Sequence, residues 1–204
     1  MDSTSRGPPP PGDSGASQQL AQRLALVSPQ DTTRGFLFST ALELVRVQEG
    51  EAAWQRCCEA AGSSSFKTFF NYPMSSFLRM AYAACDTLSA HYGGFDEAMQ
   101  NLGFRSTPRF LDSGAGKMLL SMVGREPRLL IEGLPAAYRT AWDHGQCWLT
   151  WLGPQHARID YINAVPVAYF TGSVLQVLAA AHLHGQAHGH QKSLSEFSVE
   201  LSWQ

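Results

Sequence analysis

Nothing in these 204 residues supplies a long uncharged apolar run. No stretch of about 18 such residues occurs, so no membrane-spanning helix is expected. A basic region followed by an apolar segment is missing near the start, so no secretory signal is expected either. Charge is scarce and nearly balanced, with 15 Lys and Arg against 17 Asp and Glu and a formal net charge of -2. Without a bulk field, the surface is not expected to draw nucleic acid or an anionic membrane. The one local excess is six basic residues against three acidic ones between Arg105 and Arg139, which reads as a solvated face. Cysteine is sparse as well. Cys57, Cys58, Cys85 and Cys147 match neither a disulfide framework nor a paired CxxC metal site. Buried free thiols in a reducing cytoplasm are the expectation.

What is present is enough apolar material for a sizeable core. The hydrophobic fraction is 44%, and a chain of this length buries roughly 70% of its unfolded surface without disulfides or metal. Residues 1–26 read as a disordered Pro/Ser/Gly-rich tail that includes Pro8 to Pro11 and lacks apolar surface to offset its ordering entropy. Residues 27–204 read as a single α+β domain. Its first half is helical. Phe38, Ala41, Leu42 and Val45 recur at helical spacing, Gly50 interrupts, and a second helix over 51–61 ends at Gly62. Tyr72-Pro73 opens a helix whose stripe is Phe77, Met80, Ala81, Ala84 and Leu88. A short helix over 96–102 closes at Gly103. Residues 117–123 add an apolar run. A piece over 128–142 contains Leu134-Pro135, which predicts a kink or a split.

The pattern then turns to strands. Residues 147–152 and 156–162 flank Gly153-Pro154 and predict a hairpin. Residues 167–183 are apolar nearly all round, as a buried helix is. A mobile polar loop carrying Gly185 and Gly189 is expected next. Finally Phe197, Val199, Leu201 and Trp203 alternate with Ser198, Glu200 and Ser202, the signature of a half-buried strand. The expected fold is therefore an N-terminal helical half followed by a small antiparallel sheet built of hairpin, buried helix and final strand.

Several residues invite chemistry. Ser113-Gly114-Ala115-Gly116-Lys117 resembles a phosphate loop, but Leu111 stands where its first glycine belongs and Met118 where Ser or Thr would hold magnesium. His182, His184, His188 and His190 form the densest cluster of potential metal ligands. A flexible loop is poor preorganisation for a metal, so the expectation is no metal centre, with these four as the candidates if one exists. Asp143, His144 and Cys147 lie within five residues, and adjacency in sequence does not place a base across a site from a thiol. His91 and His156 stand alone. The aromatics Phe66, Phe69, Phe70, Tyr72 and Phe77, with Trp142, Trp148 and Trp151, read as a core cluster. They would also suit a dimer face or the wall of an apolar pocket.

Taken in order, Arg34-Gly35-Phe36-Leu37-Phe38, Tyr72-Pro73, Gly93 with residues 96–103, and Gly116-Lys117-Met118-Leu119-Leu120 resemble a family of about 200 residues and unknown function, largely confined to myxobacteria. Leu134-Pro135-Ala136-Ala137-Tyr138-Arg139, Tyr169-Phe170-Thr171-Gly172 and Ser202-Trp203 extend the resemblance to the end of the chain. That family is distantly similar to the four-vinyl-reductase-type, TRAPP and haem nitric-oxide-binding domains. The resemblance implies a non-enzymatic sensory, scaffolding or regulatory module, working as a homodimer or with a protein partner. It also leaves open a binding protein for a small apolar or tetrapyrrole-like ligand, and a metal protein using the histidine segment. Haem-binding relatives carry a Tyr-x-Ser-x-Arg motif. Here Tyr138 is followed by Arg139-Thr140-Ala141-Trp142, so no cofactor is expected and no catalytic residue is assigned.

Overall fold

The computed structural model describes residues 13–121 and 126–204. Helix α1 (Asp13–Leu24) leads into β1 (Thr32–Arg34), α2 (Gly35–Ala61), β2 (Asn71–Pro73), α3 (Met74–Tyr92), α4 (Phe95–Leu111), α5 (Gly114–Ser121) and α6 (Pro127–Ala141). Then come β3 (Trp142–Asp143), β4 (Gln146–Gly153), β5 (His156–Ile162), α7 (Val167–Ala180), β6 (Gly185–Gln191) and β7 (Glu196–Trp203). This is the helices-first α+β order expected from the pattern. Two antiparallel sheets form, one in the order β2-β1-β3 and the other β4-β5-β7-β6.

Local chemistry explains most element boundaries. Gly50 takes φ 81 inside α2 and breaks it where the sequence interrupts. Gly62 and Gly93 close α2 and α3 in the left-handed conformation. The 146–162 hairpin holds its register from Gln146↔Ile162 to Trp151↔Ala157. β7 pairs along its length with β5 and puts Phe197, Val199, Leu201 and Trp203 inward, all buried.

Several expectations need correction. The tail does not run to residue 26. Its first twelve residues lie outside the described ones, but α1 occupies 13–24 and is docked. Arg23 is only 1% exposed, and its Nη1 donates to the carbonyls of Ala164 at 2.8 Å and Leu194 at 2.7 Å. Tyr82 donates to Gln19 Oε1 at 2.5 Å. Average composition hides a helix anchored by one buried cation. Residues 117–123 likewise pass partly outside the described residues. α6 continues through Pro135 as one helix. The three very short strands β1, β2 and β3 carry no alternation long enough to be read.

The larger correction concerns the histidine segment. It is an edge strand, β6, and not a loop. Its alternation is small against polar, with Gly185, Ala187 and Gly189 facing α7 while Gln186, His188 and His190 lie on the other face. A Cβ on Gly189 would meet Thr171 Oγ1 at 2.6 Å and Val167 Cγ2 at 2.7 Å. Small inner residues let the helix lie almost against the strand backbone, so hydrophobic alternation never appears. Gly103, read as a helix terminator, serves the same end on the other flank of α7. α4 runs past it, and a Cβ there would overlap the Tyr169 carbonyl. Gly172 answers on α7, where a Cβ would overlap the Gln100 carbonyl.

The aromatic cluster is largely core. Phe77 meets Phe38 at 5.5 Å, Trp142 at 5.3 Å and Tyr169 at 5.8 Å in edge-on geometry. Phe66 stacks on Phe38 at 4.3 Å. Phe69, Phe70 and Trp148 depart from this and face solvent.

Candidate functional site

Where the helical half meets the sheet, packing leaves a cavity of about 90 Å³. The start of α2 supplies Phe36 and Leu37, and the second half of α4 supplies Ser106, Thr107 and Phe110. α6 contributes Leu134 and Tyr138, α7 contributes Tyr169, Phe170, Ser173 and Val174, and β5 contributes Tyr161. The lining is mostly apolar with a few convergent hydroxyls, the usual character of a small-molecule site.

Those hydroxyls are not equivalent. Ser106 donates to the Leu102 carbonyl at 2.8 Å and Thr107 to the Gly103 carbonyl at 3.0 Å. Ser173 donates to the Tyr169 carbonyl at 3.1 Å. Each gives its proton to the preceding helical turn and keeps lone pairs. Tyr138 donates to the His144 carbonyl and accepts from Asn163 Nδ2 at 2.7 Å. Tyr169 differs. It is only 2% exposed, and its buried hydroxyl has no hydrogen-bond partner. Ser106 stands near and, its proton given to Leu102, could only accept from the phenol, but the two hydroxyls lie outside hydrogen-bond geometry. A buried, unpaired hydroxyl costs about 1–3 kcal/mol. Burial pushes the Tyr138, Tyr161 and Tyr169 phenols well above their ordinary range, so all three stay protonated.

The sequence candidates fall elsewhere. His188 and His190 sit on the outer face of β6, opposite Glu200 and Ser198 of β7. His182 and His184 precede that strand, His182 in a left-handed turn. Among the described residues, no group of three or more His, Cys, Asp and Glu side chains is placed to hold a metal. His144 Nδ1 lies 3.2 Å from Asp31 Oδ1, while Cys147 faces Tyr161 and its thiol is pushed up to about 12 by burial. Asp143 accepts from Thr32 at the far side of its strand. The glycine-rich segment begins α5, with the Gly116 amide donating to Ser113 Oγ at 3.2 Å. His156 Nε2 meets Glu200 Oε1 at 2.7 Å, and His91 packs on Tyr92. None of these reaches the cavity. The sequence pattern does not single out Ser106, Thr107 and Tyr169; Ser173, a hydroxyl set in the strongly apolar α7, is the one that left a signal.

Helices closed by a four-stranded antiparallel sheet give this chain an α+β fold similar to that of H-NOX proteins. An Fe(II) unliganded H-NOX protein from K. algicida superposes with a TM-score of 0.59 at 13% identity, over 84% of this chain and 96% of that one. A Cs H-NOX variant carrying 4-cyano-L-phenylalanine gives 0.61 at 11% identity, with the same two shares. The likeness at this identity is one of fold. By sequence, the chain belongs to the DUF2378 family of proteins of unknown function, whose model matches residues 26–204. No curated protein matches it significantly.

Proposed function

We propose that the chain is a non-enzymatic sensory module that takes one small, largely apolar molecule, bearing a single hydrogen-bonding group, into the cavity between α4, α6 and α7. The observation that carries this reading is the mostly apolar cavity whose wall includes Tyr169, the side chain whose buried hydroxyl has no partner. A ligand acceptor there would remove a penalty the free protein bears. The fold likeness to H-NOX proteins supports a ligand-holding role, and the three phenols, all kept neutral, suit binding better than acid–base work. Output through a homodimer or a protein partner belongs to the same proposal. So does a cytoplasmic setting, which rests on four free cysteines. Among the described residues, no helix is long and apolar enough to cross a membrane.

A haem does not fit. No His, Cys or Met lines the cavity, and phenols held protonated are poor iron ligands. The volume of about 90 Å³ also lies below the roughly 300–1,000 Å³ of sites for larger ligands. A tetrapyrrole-like ligand would need more room than this cavity offers.

Tyr169→Phe tests the proposal in two directions. Removing the unpaired hydroxyl raises the stability of the ligand-free chain by about 1 kcal/mol, measured by urea unfolding. It also weakens binding of phenol, a probe of the right chemistry, in calorimetric titration. Native mass spectrometry of the purified chain should show a small molecule that denaturation releases. A chain of bare mass, indifferent to phenol and destabilised by Tyr169→Phe, would refute the assignment.

A further inference from the structure

Phe69 and Phe70 are 71% and 60% exposed, and the fold holds them there firmly. Three consecutive carbonyls of their loop are tied to the start of α2. The Phe70 carbonyl accepts from the Gly35 amide at 2.9 Å, the Thr68 carbonyl from the Phe36 amide at 3.2 Å, and the Phe69 carbonyl from Arg34 Nη1 at 2.8 Å. The Lys67 amide donates to the Tyr72 hydroxyl at 2.8 Å. Gly35 is itself required, because a Cβ there would overlap the Lys67 carbonyl. Phe66, one turn of loop away, is stacked inward on Phe38. The backbone is anchored and the two rings point out, which is not the behaviour of a loose loop.

Two cations stand close to the phenylalanines, Lys67 and Arg34. Lys67 Nζ stands 5.1 Å from the Phe70 ring. Arg34 also donates through Nε to the Thr140 carbonyl at 3.0 Å, and Arg139, the residue before Thr140, is exposed. The same small sheet carries Asp143, opposite Thr32, while Asp31, which precedes β1, lies 3.2 Å from His144. Net charge over the molecule is -2, but a surface close by responds to charges within a Debye length, roughly 8–10 Å.

We propose that the 66–70 loop docks the protein peripherally on an anionic lipid bilayer, with Phe69 and Phe70 inserted at the headgroup level and Lys67, Arg34 and Arg139 facing acidic headgroups. Size separates this from a protein interface. A stable one buries about 800 Å² on each partner, whereas two phenylalanines offer roughly 150–250 Å² apiece. A bilayer asks only for a few apolar side chains beside basic ones.

The test is co-sedimentation of the full chain with phosphatidylcholine vesicles, with and without phosphatidylserine. The wild type sediments with the serine-containing vesicles and is released by salt. F69S/F70S loses about tenfold or more in apparent affinity, with an unchanged far-ultraviolet circular dichroism spectrum. K67E/R139E loses the preference for phosphatidylserine. Phe69→Trp, which keeps the apolar side chain, shows blue-shifted emission and quenching by brominated lipid. Absence of wild-type binding, equal binding by F69S/F70S, or a Phe69→Trp spectrum indifferent to vesicles overturns the proposal. Self-association lost in F69S/F70S without any vesicle binding overturns it too, by assigning the rings to a protein contact.

Discussion

Gly103 and Asp160 show how single positions carry stability here by opposite means. At Gly103 the contribution is an absent side chain. Gly103→Ala forces the α4 and α7 backbones apart and lowers stability by about 2–3 kcal/mol, read as a fall in the urea midpoint. Gly114→Ala has open space around its Cβ and leaves that midpoint within about 0.5 kcal/mol of the wild type. At Asp160 the contribution is a charge. It is 3% exposed and receives Arg158 Nε and Lys192 Nζ, each at 2.9 Å. Burial alone would raise its pKa, but the hydrogen bonds from Lys192 and Arg158 outweigh burial and hold the carboxyl below its ordinary range. A lowered folded pKa means stabilisation that is complete above the unfolded value of about 3.9 and lost as pH falls through the lower folded one. Wild-type stability therefore drops below about pH 4. Asp160→Asn is less stable near neutrality by about 1–2 kcal/mol and shows a shallower acid limb, measured by denaturant titration across that pH range.

Among the elements, α1 depends on one residue. Arg23 reaches carbonyls 141 and 171 positions away in the chain, so it joins the N-terminal helix to the segments that flank α7 and β7. Arg23→Ala leaves both carbonyls unpaired and costs about 2–4 kcal/mol. Amide hydrogen exchange in α1 should accelerate more than exchange in α4. Unchanged protection across α1 would show that the helix is held by something else. Legibility differed by element for physical reasons. α3, the hairpin and β7 were readable because their apolar spacing and turn residues act locally. β6 was not, because its inward face is built of glycine and alanine, which register as loop composition. The true length of α4 was hidden similarly, since a glycine needed for close approach to another helix looks the same in sequence as one that ends a helix.

At the scale of the whole molecule, α7 touches both halves, through Gly172 against α4 and through Thr171 and Val167 against β6. The two halves share one core, and the chain should unfold in a single step. Far-ultraviolet circular dichroism, which reports chiefly the helices, should give the same midpoint as fluorescence from Trp148, Trp151 and Trp203 in the sheet. Separate midpoints would mean two cooperative units. The cavity was beyond sequence reading because its wall comes from four helices and two strands that no local pattern assembles. What sequence held was only the hint of a hydroxyl in the apolar stretch at Ser173.

Glycines flanking α7 on two sides leave that rod no slack, so it can neither slide nor roll. Any widening of the cavity beside Tyr169 would therefore fall on the opposite wall, α6. Pro135 brings no amide to the Ile131 carbonyl, so that helix already lacks a rung at mid-length. Its far end is strapped by Arg34 to the loop that bears Phe69. News of occupancy would thus surface at that corner, without the rest of the architecture stirring.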